Sequence, residues 1–112
     1  MSEEDDIITY LVAQGADLAV PRSVRHYVYM PTKEAAGSVA SELRNRGYAT
    51  EVSPAALGSA WLVLACHDVV VSARGAAAVR RLMEALIKEH GCGEYDGWDA
   101  ALHGHEVRPK PN

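Results

Sequence analysis

The sequence predicts an α+β domain in which two strand-helix-strand units follow a short N-terminal helix. Two observations carry this prediction. Apolar residues recur every three to four positions in three stretches, as in amphipathic helices, whereas other stretches alternate in polarity or are continuously apolar, as in strands. The 112 residues suffice for one hydrophobic core and are too few for two. Residues 4–102 are therefore predicted to form one domain, with residues 103–112 as a mobile tail.

The first unit follows a helix that is predicted from Asp5 to Gln14. The stretch RHYVYM alternates in polarity, which indicates a strand with two different faces. Thr32 is a suitable N-cap for the next helix, and Gly47 is a suitable end for it. The stretch YATEV then has the composition of a second strand.

The second unit begins with the stretch WLVLACHDVVV. It is too apolar for a half-exposed edge, so its strand is predicted to be central, with both faces mostly covered. Ser72 can cap the following helix and Gly91 can end it. The hexapeptide EYDGWD, at Glu94 to Asp99, follows as the fourth strand.

Two such units in succession form the βαββαβ arrangement of ferredoxin-like folds, with the first and third strands in the middle of the sheet. The second and fourth strands carry Glu51 and Gly97, which suit edges that must resist pairing with other sheets. The prediction is therefore a ferredoxin-like α+β sandwich, with two helices on one face and an additional N-terminal helix. His26 and His67 become neighbours on the two central strands.

Charge and hydropathy exclude several classes of partner. The formal net charge of −4 gives no basic footprint for a nucleic-acid backbone. The N-terminus begins MSEEDDIITY, which has neither the basic nor the apolar region of a signal peptide. No apolar run approaches the roughly 20 residues that span a bilayer. The chain is expected to be cytoplasmic, with neither a membrane nor nucleic acid as its direct partner.

The five histidines and two cysteines raise the question of a metal or catalytic site. Their spacing contains neither an HExxH motif nor a CxxC pair, so no metal and no cofactor are predicted. His26 and His67 are interpreted first as a satisfied, partly buried pair. The alternative is a polar site at these two histidines, in a small-molecule-binding or enzymatic domain.

An RNA-binding domain is the third interpretation, because RNA recognition motifs share this strand order and stack bases on aromatic residues. Tyr27 and Tyr29 lie on the predicted first strand. The third strand lacks the aromatic pattern of these motifs and supplies only Trp61. We therefore interpret both tyrosines as packing residues.

The hexapeptide EYDGWD places three acids around two aromatic rings. Glu94 and Asp96 share one strand face, but no glycine-rich phosphate loop accompanies them and Cys92 is interpreted as an incidental turn residue, so a solvated edge is favoured over acid–base catalysis. Gly97 can let the strand bend and return Trp98 to the core. Glu94, Asp96 and Asp99 would then project outward.

Five stretches carry a resemblance to a known family: GAD after the first helix, PRSVRHYVYM, ELRNRGYATEV, WLVLACHDVVV and, most specifically, EYDGWDA. Over residues 4–100 the chain resembles the regulator of ribonuclease activity B (RraB) family, the ribonuclease E inhibitors. The resemblance implies a small cytoplasmic protein that is not an enzyme and that binds an endoribonuclease to restrain RNA decay. It also implies that Tyr95, Gly97 and Trp98 belong to a hallmark of the family.

With this resemblance, Glu94, Asp96 and Asp99 are the predicted partner-binding residues, docking on a basic segment of a ribonuclease. Better-known members of the family carry a long acidic C-terminal extension, whereas this chain ends in HGHEVRPKPN. A contact through such an extension is not expected here. Formation of a homo-oligomer is left open.

Overall fold

The computed structural model describes residues 3–56 and 58–100, with side chains from residue 7 onward. The predicted tail at 103–112 lies outside the described residues. In chain order the elements are α1 (Glu3–Ala13), β1 (Arg22–Met30), α2 (Lys33–Asn45), β2 (Ala49–Pro54), β3 (Trp61–Val69), α3 (Ala73–His90) and β4 (Glu94–Ala100). This is the predicted order of a helix followed by two strand-helix-strand units.

The four strands form one antiparallel sheet in the order β2-β3-β1-β4. The prediction of a ferredoxin-like arrangement, with the first and third strands in the centre, is confirmed. Strands β1 and β3 pair along their whole length, from Arg22 opposite Val69 to Met30 opposite Trp61. His67 consequently lies opposite Val24 and next to His26 on the same face.

The helix ends follow the predicted local chemistry. The side chain of Thr32 accepts a hydrogen bond from the Ala35 amide at 3.1 Å, and that of Ser72 accepts one from the Gly75 amide at 3.0 Å. Each bond satisfies a backbone donor that the first helical turn leaves without a partner. At the end of α3, Gly91 has φ +148°, a conformation that favours glycine.

The core lies on one face of the sheet and consists of two clusters. The larger cluster fills the space between α2, α3 and the sheet, and its central members are Val28, Leu43, Val63 and Met83. The smaller cluster joins α1 to the sheet, and its buried members are Leu11, Val24, Val71 and Trp98. The added N-terminal helix is thus held mainly by the smaller cluster.

The opposite face of the sheet carries no helix from the described residues. Tyr27, Leu62 and Leu64 point to this side and are half-buried. The prediction that β3 is mostly covered on both faces is therefore wrong. Alternate residues of β3 reach the helices, while the apolar residues between them are shielded partly by their neighbours in the sheet. We call this side the open face.

Among the described residues, every helix is too short or too polar to cross a lipid bilayer.

Candidate functional site

Strand β4 is bent at Gly97. Its pairing with β1 changes register between His26 and Val28, so that two residues, Asp96 and Gly97, stand against Tyr27. Gly97 has φ +95°, which a residue with a β-carbon adopts only under strain. After this bulge, Trp98 lies opposite His26 on the helix-covered face and is only 6% exposed.

The three acids of β4 have different surroundings. Glu94 and Asp96 are exposed at the sheet edge. Asp99 lies opposite Arg25, whose Nε and Nη2 donate to its two carboxylate oxygens at 2.9 and 3.0 Å. The hydroxyl of Tyr27 also donates to Asp99, at 2.8 Å. Of the negative charge that these three acids carry, the unpaired part is therefore concentrated at Glu94 and Asp96.

The Arg25–Asp99 pair changes the titration of the groups around it. Hydrogen bonding to Asp99 and its negative charge raise the pKa of Arg25. Burial, followed by the hydrogen bond to Asp99, raises the pKa of Tyr27. Both groups consequently keep their protons at neutral pH, and both hold the Asp99 carboxylate on the open face.

Tyr95 connects β4 to the interior. It lies opposite Val28, and its hydroxyl is 2.9 Å from Nδ1 of His26. The guanidinium of Arg80, on α3, lies 4.9 Å from the centre of the tyrosine ring, within the range of a cation–π contact. Tyr95 therefore joins β4, β1 and α3 at one point.

His26 and His67 form a direct pair, as the sequence predicts for neighbours on the central strands. Their Nε2 atoms are 2.9 Å apart. His26 is 2% exposed, and the ring of Tyr48 stacks on His67 with the ring centres 4.5 Å apart. The result is a continuous polar chain from Tyr95 through His26 to His67, inside an otherwise apolar layer.

Burial controls the protonation of this chain. It lowers the pKa of His26 to about 4, helped by the neighbouring His67, and it also lowers the pKa of His67. Both rings are therefore neutral at pH 7, so one Nε2 carries a proton and donates to the other. Either Tyr95 donates inward to His26, or His67 donates in the opposite direction. Both arrangements satisfy the hydrogen bonds.

The histidine pair lacks the partners of a nucleophilic catalyst. Among the described residues, neither ring forms a hydrogen bond with a carboxylate, a serine hydroxyl or a thiol. Triad-type mechanisms require a nucleophile in contact with the base and a group that orients the base. The arrangement can bind and relay a proton, but it does not activate a side-chain nucleophile.

A cavity of about 160 Å³ lies beside the histidine pair. Strands β1 and β3 form one wall, the first turns of α3 form another, and Trp98 contributes from β4. Most of its lining is aliphatic, and it opens to solvent next to Val70. The sequence analysis did not predict this cavity, because gaps between packed layers depend on side-chain volumes that periodicity does not report.

The sequence analysis also did not predict a cluster of three side chains that could bind a metal ion. The ligand atoms of Glu42, Glu89 and His90 all lie within 4.8 Å of one another, where α2 and α3 end. His90 Nε2 donates to a carboxylate oxygen of Glu42, and this contact between two helices accounts for the cluster without an ion.

Fold and site together define a class: a small α+β domain with an acidic edge strand and a neutral histidine–tyrosine chain in its core. The family model described as "RraB: Regulator of ribonuclease activity B" matches residues 2–100. The chain therefore belongs to the regulator of ribonuclease activity B family, and the resemblance seen in the sequence is confirmed. A search of curated proteins found no match to the chain.

Proposed function

We propose that this protein is a non-enzymatic regulator that binds a ribonuclease E-type endoribonuclease and restrains its cleavage of RNA. Membership of a family named for the regulation of ribonuclease activity supports the general role. The observation that carries the specific proposal is the exposed pair of acids on β4, within the most specific family stretch. Neither Glu94 nor Asp96 forms an ion pair with another described residue.

Unpaired carboxylates on an edge strand favour a basic partner. They attract a segment rich in arginine or lysine before contact, and such steering raises the association rate more than the final affinity. Asp99 contributes less, because Arg25 already neutralises it. We therefore assign the electrostatic contact mainly to Glu94 and Asp96, with Asp99 as a member of the adjoining surface.

The open face can supply the apolar part of the same contact. Tyr27, Leu62 and Leu64 are half-buried there, on strands next to β4 or one strand further away. Aromatic and aliphatic side chains that become fully buried provide most of the affinity in protein interfaces, whereas charges at the rim provide little each. Formation of a homo-oligomer stays open.

The test combines binding and catalysis. The purified protein is added to the ribonuclease E-type enzyme of the same source with a labelled RNA, and complex formation and cleavage rate are measured. The wild-type protein should bind the enzyme and slow cleavage. The double variant Glu94→Lys/Asp96→Lys should keep its melting temperature, since both sites are exposed, and bind roughly tenfold more weakly at low salt.

A matched control separates the β4 edge from overall charge. Glu34→Lys/Glu89→Lys changes the net charge by the same amount, at exposed sites on α2 and α3, which lie on the side of the sheet away from the open face. It should retain most of the binding. Equal weakening by both variants would assign the effect to overall charge, and unimpeded cleavage without a complex would refute the proposal. Salt-dependent binding of the labelled RNA by the protein alone would instead favour an RNA-binding domain.

A further inference from the structure

We propose that the cavity beside His26 and His67 binds a small monocyclic organic acid. This ligand site goes beyond the proposed function and does not rest on it. The ring would occupy the aliphatic part of the cavity, and the carboxylate would face the polar groups at the junction of β4, the histidine pair and the start of α3.

The volume of the cavity fits a single ring. It measures about 160 Å³, and an aliphatic cavity of roughly 150 Å³ takes up benzene in another protein. Val24, Val69 and Val79 supply apolar walls from β1, β3 and α3. Such walls gain nothing from holding water but are stabilised by contact with a hydrocarbon ring.

Trp98 lines this cavity and carries a buried donor without a partner in the described part of the chain. The residue lines the cavity, is 6% exposed, and its Nε1–H has no hydrogen-bond acceptor among the described residues. Buried polar groups nearly always have a partner, and leaving one without a partner is costly. A ligand with a hydrogen-bond acceptor would satisfy this donor, which distinguishes the site from a simple packing gap.

The remaining polar groups of the lining also favour an anion. The hydroxyl of Ser72, whose oxygen accepts from the Gly75 amide, still has its own proton to donate. The cavity lies at the start of α3, where the helix dipole favours negative charge. Among the described residues, no aspartate or glutamate lines the cavity. A cationic ligand would find no counter-charge there, whereas a carboxylate could accept a hydrogen bond from Ser72.

The histidine pair is compatible with this ligand. Because burial keeps both imidazoles neutral at pH 7, the pair brings no full charge to the cavity. When Tyr95 donates to His26 and His26 donates to His67, the proton of His67 lies on Nδ1, which is then free to donate. The side open to solvent at Val70 reduces the cost of removing water from the carboxylate.

The test uses benzoate as the probe, with benzylamine and benzyl alcohol as cationic and neutral analogues of similar size. The indole N–H signals of the two tryptophans are followed by NMR during titration. Trp98 should shift saturably with benzoate, with a Kd in the millimolar range or below. Trp61 is an internal control, because it begins β3, roughly 20 Å along the strand from His67. Benzylamine should bind at least about tenfold more weakly.

Cavity-filling variants locate the site. Ala76 lines the cavity on α3, so Ala76→Leu should abolish the benzoate response, and Val79→Leu replaces it if that variant does not fold. Ala78→Leu makes the same change at an exposed position of α3 and should bind benzoate like the wild type. Trp98→Phe keeps a ring but removes the donor. Because this variant lacks the indole signal, binding is followed at the Gly75 amide. Its affinity for benzoate should be about tenfold lower, and its affinity for benzyl alcohol should change less.

Three results would overturn the inference. The first is no saturable shift of Trp98 with benzoate. The second is equal binding of benzylamine, which would remove the argument for an acid. The third is a benzoate-induced shift that persists in both Ala76→Leu and Val79→Leu, which would mean that benzoate binds outside the cavity.

Discussion

At the scale of single residues, the most consequential feature is a histidine that is buried without charge. Among the described residues, the ring nitrogens of His26 contact Tyr95 and His67, and neither partner carries a negative charge that would favour the protonated ring. In the unfolded chain its pKa returns to about 6.5. Folding therefore competes with protonation of this ring.

Acid should begin to destabilise the protein at about pH 6.5, above the range in which most carboxylates titrate. Because the pKa of His26 is lowered to about 4, the unfolded state binds a proton between pH 6.5 and 4 that the folded state does not. The free energy of unfolding is thus highest above pH 6.5. It should fall towards pH 4 by at most about 1.4 kcal/mol per pH unit for this ring, about 3 kcal/mol in all. The lowered pKa of His67 adds an effect of the same sign.

Urea unfolding between about pH 7 and pH 5 measures this dependence. His26→Gln keeps an amide that can reach both neighbours but removes the titration, so its unfolding free energy should depend less steeply on pH. Replacing His67 as well should flatten the dependence further. A slope identical to that of the wild type would mean that other groups control the acid response.

The sequence predicts the contact between His26 and His67, because alternation in two central strands fixes which side chains share a face. It does not predict the hydrogen bond between His26 and Tyr95 or the pairing of Asp99 with Arg25. Both depend on the register of β4, which the bulge at Gly97 shifts by one residue. Such a shift has no signal in the sequence beyond the glycine itself.

At the scale of elements, strand β4 depends on one backbone conformation. Gly97→Ala places a β-carbon where φ is +95°, and this should lower the free energy of unfolding by about 1–3 kcal/mol. Gly37→Ala is the matched control, since Gly37 is exposed inside α2 and a β-carbon there would meet no atom within 4 Å. That change should raise stability by about 0.5–1 kcal/mol.

Urea unfolding of both glycine variants gives the comparison. The changes in unfolding free energy should have opposite signs in the two variants. Because both substitutions add the same methyl group, this difference must come from the backbone conformation at each site. If Gly97→Ala left the free energy of unfolding unchanged, the bulge would not require glycine, and the glycine in EYDGWD would need another explanation.

Element boundaries follow mostly from local chemistry. The caps at Thr32 and Ser72 and the stop at Gly91 are encoded by residue types that satisfy free backbone groups. Local residue types do not determine how many faces of β3 are covered, because a continuous apolar run is compatible with one covered face or with two. Here the third layer is absent from the described residues, and Leu62 and Leu64 remain half-buried.

At the scale of the whole molecule, the two core clusters stabilise different parts of the fold. The larger cluster joins α2, α3 and the sheet, whereas the smaller one holds α1 through Leu11, Val71 and Trp98. The acidic edge and the closing tryptophan of β4 thus belong to different parts of the molecule. Glu94 and Asp96 face solvent, while Trp98, two residues beyond Asp96, connects α1 to the sheet.

Trp98→Ala should consequently loosen one end of the molecule more than the other. Loss of the buried ring should cost about 3–5 kcal/mol, a large part of the total stability of a domain of this size. Native-state hydrogen exchange measures how the loss is distributed. Amides of α1 should exchange through a local opening, while those of α2 should still require global unfolding. Met83→Ala, in the larger cluster, is the control and should leave α1 as protected as the rest. If α1 and α2 lost protection equally in Trp98→Ala, the two clusters would be a single cooperative unit, and the tryptophan would stabilise the entire fold rather than the attachment of α1.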